Sequence, residues 1–220
     1  MTSDREYQLP DLEDYLAIDC EFVGCKSGQA LAKVGIVNHE GTIVLDTYVY
    51  VNPENIIDYR TSTSGIKAGV LDGAPTYEQV TSRIKSLVQG KILVGHTLFN
   101  DLSAIGHKHP YESFRDTALY YPLRFKMGIK REGEFPSLKK LSKELLGVDI
   151  QRDDDGRGHD PIEDARATMA IFMLVREDYE IDLMKNRDCV AGIPPIPVNL
   201  RLLGISLARD EVTGHPVMDT

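Results

Sequence analysis

The sequence lacks a long apolar run, which bears on its relation to membranes. No stretch reaches the roughly eighteen consecutive apolar residues of a membrane-spanning helix, so we expect no membrane partner. The first residues, Met1 to Pro10, are polar and lack the apolar core of a secretory signal peptide. The sequence therefore predicts an intracellular protein, in the nucleus or in the cytoplasm.

Cysteine is also scarce. The chain has three cysteines, Cys20, Cys25 and Cys189, and their spacing matches no zinc-binding motif. We expect reduced thiols, because disulfides are rare in intracellular proteins.

Internal repeats and low-complexity tracts are absent, which favours a single globular unit. A chain of 220 residues with 42% hydrophobic content can bury the core of one domain. We predict a lead-in at residues 1–14, the domain at residues 15–184, and a tail at residues 185–220 that packs back on the domain.

An excess of positive charge is missing too, since the net charge is −9. That sum argues against a nucleic-acid partner, but the distribution of charge matters more than the total. Between Lys108 and Lys143, nine basic residues face four acidic ones, a net charge of +5, and Phe125 and Phe135 are interleaved. Basic groups with interleaved aromatic rings are typical of single-strand binders. The alternative is a solvated amphipathic region.

Two acidic residues interrupt an apolar stretch near the amino terminus. Within Tyr15–Gly24, the alternation of side chains along a strand places Asp19 and Glu21 on one face. So apolar a strand is expected at the centre of a sheet, where two like charges about 7 Å apart repel each other and lose hydration. A divalent cation relieves both penalties, because it prefers oxygen ligands. The alternative is a solvated strand face.

The order of the elements predicts the fold class. Two β-rich runs, Leu31–Val37 and Thr42–Val51, follow the strand of Asp19, and a turn at residues 38–41 joins them as a hairpin. A capped helix from Thr76, a short strand at residues 91–96 and further helices follow. These elements predict an α/β protein with a mixed sheet, a three-strand antiparallel meander plus parallel strands, flanked by helices.

A third acidic residue, Asp101, lies at the start of a predicted helix. The strand before this helix ends at Gly95, and α/β proteins place functional groups beyond such strand ends. The alternative for Asp101 alone is a first-turn carboxylate that the helix dipole favours.

A histidine and a fourth acidic residue lie at the start of the last long helix. Asp160 is the predicted N-cap, and Glu163 is expected to complete a capping box. The helix is predicted to run to about Glu177. His159 precedes the cap and Asp164 lies one turn inside, so both can point from the same helix end.

Taken together, these residues resemble the DEDDh exonucleases, a superfamily with a ribonuclease H-like fold. Three motifs carry the resemblance: Asp19-Cys20-Glu21, residues 95–101 and residues 159–164. Two further runs, residues 58–61 and residues 163–169, resemble more narrowly the RNA exonuclease 4 and interferon-stimulated exonuclease group. Each motif alone is weak, whereas all of them in order across residues 15–174 are specific.

The resemblance implies hydrolysis of phosphodiesters with two divalent cations, Mg²⁺ or Mn²⁺. Two ions about 4 Å apart would hold the attacking water and stabilise the leaving oxygen. Asp19 would bridge both ions. Glu21 and Asp164 would complete the site of the nucleophilic water, and Asp101 would serve the other ion. His159 would accept the proton of that water as general base, a role that suits imidazole near neutral pH.

Substrate contacts are predicted on basic side chains. One is Arg60, in a run that matches the group, with bracing of its own loop as the alternative. The others belong to the basic segment: Arg124, Lys126, Lys130 and Arg131.

The predicted function is a metal-dependent 3′→5′ exonuclease that releases nucleoside 5′-monophosphates. Its partners would be single-stranded RNA or DNA 3′ ends, with RNA favoured through the resemblance. Two other functions remain open at this point. One is a catalytically idle domain that binds nucleic acid or protein, and the other is a structural metal-binding domain.

Overall fold

A six-stranded mixed sheet forms the centre of the fold. The computed structural model describes residues 8–131, 133–152, 157–185 and 187–191, and the backbone of two short strands at residues 207–209 and 216–218. The sheet has the order β3-β2-β1-β5-β6, and β4 pairs with the end of β1. Its strands are β1 (Tyr15–Cys25), β2 (Gly28–Asn38), β3 (Ile43–Tyr48), β4 (Ile56–Asp58), β5 (Ile92–Gly95) and β6 (Phe114–Asp116).

The strand directions confirm the predicted fold class. Strands β1, β2 and β3 form an antiparallel meander, while β5 pairs in parallel with both β1 and β6. The short strand β4 lies in a stretch for which the sequence gives no strand signal. A separate two-stranded sheet is formed by β7 (Leu207–Arg209) and β8 (Pro216–Met218).

Helices cover both faces of the sheet. They are α1 (Thr61–Ser64), α2 (Tyr77–Val88), α3 (Leu98–Ile105), α4 (Tyr121–Lys126), α5 (Leu138–Leu141), which continues as a π-helical segment at Ser142–Leu146, and α6 (Pro161–Met184). Single 3₁₀ turns occur at Leu12–Asp14, Pro53–Asn55 and Tyr111–Ser113. Within the described ranges, no helix has both the length and the apolarity needed to cross a bilayer.

Strand β1 is buried on both faces, as expected of a central strand. Ile18 and Cys20 belong to the core that α2 and α3 cover. Ala17 belongs to a second core, which α6 covers on the opposite face. The polar residues of β1, which pairs with β2 and β5, therefore have little access to water.

The polar residues of β1 lie beyond the carboxyl end of β5. Pairing with β5 covers only Tyr15 to Ala17 of β1. Asp19 and Glu21 therefore extend beyond the end of β5, next to the start of α3. This is the sheet edge at which open α/β proteins bind ligands.

A glycine on β2 allows α6 to approach the sheet closely. Gly35 pairs with Asp19, and a Cβ atom at Gly35 would lie 2.7 Å from the carbonyl carbon of Pro161. Since real Cβ atoms do not approach backbone so closely, only glycine leaves room for the first turn of α6. This contact brings Asp164, one turn further along, towards β1.

The far end of α6 is anchored by a buried ion pair. Arg115 on β6 donates to both carboxylate oxygens of Glu180, at 2.7 and 2.8 Å, and the Tyr15 hydroxyl donates to Glu180 at 2.9 Å. Both charged side chains are almost fully buried. These contacts explain why α6 continues to Met184, beyond the predicted end near Glu177.

Of the two predicted capping boxes, one is present. Thr76 and Gln79 cap α2 reciprocally, as predicted. At α6 the prediction is wrong in part, because Asp160 caps the Ile162 N–H but Glu163 instead accepts a hydrogen bond from the Gln151 backbone N–H, at 3.0 Å.

The predicted packing of the tail concerns residues that lie mostly outside the described ranges. Within them, Val190 forms an isolated bridge with Tyr120, and the Ala191 N–H donates to the Leu119 carbonyl at 2.9 Å.

The close approach at Gly35 gives a first prediction. Gly35→Ala should lower the free energy of unfolding by about 1–3 kcal/mol, because the added methyl group must push α6 away from β2. Urea unfolding followed by circular dichroism measures this change. Gly24→Ala on β1 is the control and should lose less, because its nearest contact would be 3.3 Å, to the Asp58 side chain. Equal stability of Gly35→Ala and the parent protein would contradict this account of the packing.

Candidate active site

Four carboxylates from three elements converge at the carboxyl end of β5. Strand β1 contributes Asp19 and Glu21, helix α3 contributes Asp101, and helix α6 contributes Asp164. Glu21, Asp101 and Asp164 are 6%, 5% and 2% exposed. The structure thus brings together the four acidic residues that the sequence motifs single out.

The pKa of Asp19 reflects its burial and the nearby carboxylates. Loss of solvent contact raises its pKa well above the ordinary range, and the carboxylates of Asp101, Asp164 and Glu21 raise it further. Repulsion among like charges of this kind favours either protonation or a bound cation.

Lys33 partly offsets the negative charge around Glu21. Burial, with added repulsion from Asp164 and Asp101, raises the pKa of Glu21 to about 8, against a smaller lowering by Lys33. Lys33 pairs with Glu21 across β1 and β2, and its ammonium lies 3.2 Å from Asp160 Oδ1. The same lysine thus links the β-strand carboxylate to the N-cap of α6.

Asp101 is placed by a carboxylate that sequence reasoning missed. Asp116, at the end of β6, is fully buried and accepts hydrogen bonds from the backbone N–H groups of Thr97 and Leu98, at 3.1 and 2.8 Å. These bonds fix the first turn of α3, which carries Asp101. The Cys20 thiol also hydrogen-bonds to the Asp101 carboxylate, while burial raises the pKa of Asp101 to about 8.

Asp164 is held by a second missed residue, Gln151. The side-chain amide of Gln151 donates to Asp164 Oδ2 at 2.7 Å, and its backbone N–H donates to Glu163. Lys139 Nζ donates to the Gln151 carbonyl at 2.7 Å. Gln151 has a φ of 50°, the left-handed region that costs a non-glycine residue energy, so these contacts hold a strained backbone. Its only signal in the sequence is a glutamine shortly before the motif at residues 159–164, and this signal is weak.

His159 lies beside two of the carboxylates. Its Nδ1 atom is 4.0 Å from Glu21 Oε1 and 3.9 Å from Asp164 Oδ2, beyond direct hydrogen-bond length. The His159 backbone N–H donates to the Thr63 carbonyl at 2.6 Å. Gly158 packs directly on Gly65, where any Cβ atom would clash. The loop that carries His159 is therefore docked against α1.

The carboxylates of this site fit a hard divalent cation, which takes oxygen ligands. Glu21, His159 and Asp164 each offer a ligand atom, and these atoms lie within 4.8 Å of one another. Asp164 Oδ1 is buried and has no hydrogen-bond partner among the residues that the structure describes. A buried carboxylate oxygen normally finds a partner, and a cation would supply one here.

The basic side chains predicted to contact substrate fall into different environments. Lys126, Lys130 and Arg131 are exposed, so their predicted role stays open. Arg60 is exposed as well, in a left-handed conformation, and its guanidinium donates to Gln29 Oε1 at 3.3 Å. The prediction for Arg124 needs correction: this residue is 2% exposed, because its guanidinium is packed inside the segment.

The buried carboxylates make a pH-dependent prediction for the metal-free protein. Burial raises the pKa of Asp164 to about 7 and those of Glu21 and Asp101 to about 8. The folded state therefore retains protons that the unfolded state releases near pH 4, and this contribution to stability is lost as the pH rises from about 4 to about 8. In EDTA, the Tm should fall over this range less in Asp101→Asn or Glu21→Gln than in the parent protein.

Differential scanning calorimetry at several pH values measures that difference. Asp149→Asn is the control, because this exposed carboxylate has a pKa that Lys143 lowers. A parallel decline of Tm in the parent protein and both site variants would show that the carboxylates are not protonated in the folded state.

Comparison with known proteins places this geometry in a family. The exonuclease family model, RNase_T, matches residues 16–172. RNA exonuclease 4 of Mycosarcoma maydis is 45% identical over 175 residues, which cover 78% of this chain and 45% of the relative. RNA exonuclease 4 of Saccharomyces cerevisiae is 38% identical over 77% of this chain and 57% of its own length. The chain spans about half the length of these curated relatives.

Solved structures give the same result for the fold. The pseudoubiquitin hydrolase–RNA exonuclease module of Saccharomyces cerevisiae Pan2, in complex with A7 RNA, superposes with a TM-score of 0.63 at 30% identity. The match covers 83% of this chain and 33% of that one. The catalytic unit of Neurospora crassa Pan2 gives a TM-score of 0.62 at 28% identity, over 83% of this chain and 29% of that one. With its ribonuclease H-like sheet and its matched motifs, the chain belongs to the exonuclease family.

Proposed function

We propose that this chain is a metal-dependent 3′→5′ exonuclease that degrades single-stranded nucleic acid, with RNA preferred over DNA. The single observation that carries the proposal is the convergence of four carboxylates and His159 at one sheet edge in a chain of the exonuclease family. We assign the activity to a domain at residues 15–184, which contains the whole family match.

The preference for RNA is supported by the relatives. Curated relatives of this chain carry the name RNA exonuclease 4, and one Pan2 module was solved with A7 RNA. Those names describe the relatives, and for this chain they make RNA the substrate to test first.

Two divalent cations, Mg²⁺ or Mn²⁺, would be held by the four carboxylates: Asp19, Glu21, Asp101 and Asp164. When bound, such ions acidify a coordinated water and neutralise charge on the phosphate and the leaving oxygen. The donor set agrees with this role, since Asp164 leaves one buried oxygen without a partner among the described residues.

The protein's own groups position and deprotonate the attacking water. The Nδ1 atom of His159 faces Glu21 and Asp164 across about 4 Å, a gap that one bridging water can occupy. His159 accepts the proton of this water at Nδ1 as the water oxygen bonds to phosphorus. The bond from phosphorus to the 3′ oxygen breaks, and this oxygen takes a proton from solvent. The shortened strand then ends in a 3′-hydroxyl, and a nucleoside 5′-monophosphate is released.

The test of this function is a gel assay on 5′-labelled single-stranded RNA and DNA of the same sequence. With Mg²⁺ or Mn²⁺ the strands should shorten from the 3′ end, RNA faster than DNA, and EDTA should stop the reaction. Asp19→Asn should be inactive, and His159→Gln should lower kcat by about 10²–10⁴, the usual value of a general base.

Two results would contradict the proposal. One is the absence of cleavage by the parent protein with either metal, which would leave a catalytically idle domain. The other is equal cleavage by the parent protein and Asp19→Asn, which would indicate a contaminating nuclease. His107→Gln, which changes a histidine away from the four carboxylates, serves as the control for His159→Gln and should keep full activity.

Gln151 gives a separate prediction. Gln151→Ala removes the hydrogen bond that orients the Asp164 carboxylate, and loss of such a partner to a metal ligand typically costs about 10–100-fold in metal affinity. The Mn²⁺ concentration for half-maximal cleavage should rise by that factor, with kcat at saturating Mn²⁺ changed little. Gln89→Ala, on an exposed helix end, is the control. An unchanged Mn²⁺ requirement would show that Gln151 does not position Asp164.

A further inference from the structure

A row of planar side chains leads outward from the helix of Asp101. The ring of Phe99 on α3 lies 6.5 Å from that of Phe135. The guanidinium of Arg124 lies 5.6 Å from the Phe135 ring and 5.4 Å from the Tyr121 ring. Tyr121 in turn stacks on Phe125 at 5.8 Å, with an angle of 13° between the rings. We call these five residues the aromatic row.

The inner part of the row is rigid. The guanidinium of Arg124 is buried between two rings and donates to the Arg131 carbonyl at 2.7 Å. His96, at the end of β5, donates through Nε2 to the Pro136 carbonyl at 2.8 Å, which ties the residue after Phe135 to the sheet. Contacts of this kind fix a surface before any ligand arrives, so binding costs less conformational entropy.

The outer end of the row is Phe125, whose ring is largely exposed to solvent. Phe125 is 60% exposed, although it stands in a short helix whose neighbours Leu123 and Arg124 are buried. One face of the ring is covered by Tyr121, so the opposite side is left for a partner. An exposed ring stacked on a second ring is a platform for another planar group.

Positive charge surrounds this platform. Lys126, Lys130 and Arg131 are exposed, and Arg131 has a side-chain exposure of 84%. The surrounding stretch, residues 108–143, has a net charge of +5 in a chain whose total is −9. Glu134 offsets part of this charge through an ion pair with Arg131, at 3.2 Å. An anion with flat rings is the partner that matches both features.

The inner end of the row lies on the helix that carries Asp101. Phe99, its inner end, lies on α3 two residues before Asp101. In the basic stretch at residues 108–143, Lys139 contacts Gln151, which holds Asp164. The segment that carries Phe125 therefore adjoins the site of the carboxylates, and a strand whose 3′ end lies there can extend onto it.

We propose that Phe125, the exposed end of the aromatic row, and the surrounding basic residues bind the nucleotides upstream of the 3′ end of single-stranded RNA. A base stacks on Phe125, while Lys126, Lys130 and Arg131 contact phosphates. The inference rests on the proposed exonuclease function and extends it, because it makes cleavage depend on substrate length. We expect a dinucleotide with its 3′ residue among the carboxylates to leave Phe125 unoccupied, because four successive contacts of 5.4–6.5 Å separate Phe99 from Phe125 along the row.

The test compares a dinucleotide with a dodecanucleotide of the same 3′ sequence. Stacking of one base on an aromatic side chain contributes about 1–3 kcal/mol, so Phe125→Ala should raise KM for the dodecanucleotide about 5- to 150-fold. Cleavage of the dinucleotide should stay within about twofold of the parent protein, the scatter expected for a residue that makes no substrate contact. Phe125→Trp should have the same KM as the parent protein, because tryptophan keeps the stacking surface.

Binding measured in EDTA separates this inference from the exonuclease function. Fluorescence anisotropy with a labelled dodecanucleotide should show weaker binding by Phe125→Ala, by the same factor as the change in KM. Replacing Lys126 and Lys130 by glutamine should reduce the salt dependence of binding, by about 0.7 in the logarithmic slope for each phosphate that the variant no longer binds. Leu174→Ala on α6 is the matched control, since Leu174 is 59% exposed and apolar like Phe125.

Each outcome has a definite meaning. Equal RNA binding by Phe125→Ala and the parent protein would overturn the inference, as would equal displacement by double-stranded RNA, whose paired bases cannot stack on the ring. No RNA binding by the parent protein would overturn it too. RNA binding that depends on Phe125, without cleavage by the parent protein, would support the surface and contradict the exonuclease function.

Discussion

The structure depends on one constraint, the convergence of four carboxylates, three of them buried, at a single point. Repulsion and lost hydration make this arrangement costly for the metal-free protein, which shows in the raised pKa values of Glu21, Asp101 and Asp164. The fold holds the acids together from outside. Gly35 lets α6 approach β2, and Asp116 fixes the first turn of α3. Such a site is built for cations, which turn the repulsion into coordination.

The sequence revealed the parts of this site that depend on local rules. Alternation along β1 placed Asp19 and Glu21 on one face, and the motif order supplied the other acids and His159. It did not reveal Asp116 or Gln151, whose roles come from contacts between residues far apart in the chain. Neither residue stands in a pattern of its own.

Charge patterns proved a poor guide to exposure. Arg124 belongs to a basic run and was predicted to contact substrate, yet two aromatic rings enclose its guanidinium. The net charge of the run says nothing about which of its members faces water. Similarly, helix periodicity did not predict the full length of α6, because a buried ion pair from Arg115 to Glu180 extends it. Both differences come from tertiary packing.

The account is tested most directly by counting the Mn²⁺ ions that bind to each chain. Electron paramagnetic resonance of free Mn²⁺, with adenosine 5′-monophosphate present as product, gives that number. We expect two ions for the parent protein and at most one for Asp19→Asn, because Asp19 is the residue that all three other carboxylates approach. No bound Mn²⁺, or the same number in both proteins, would contradict the proposal that the buried carboxylates form a two-cation site.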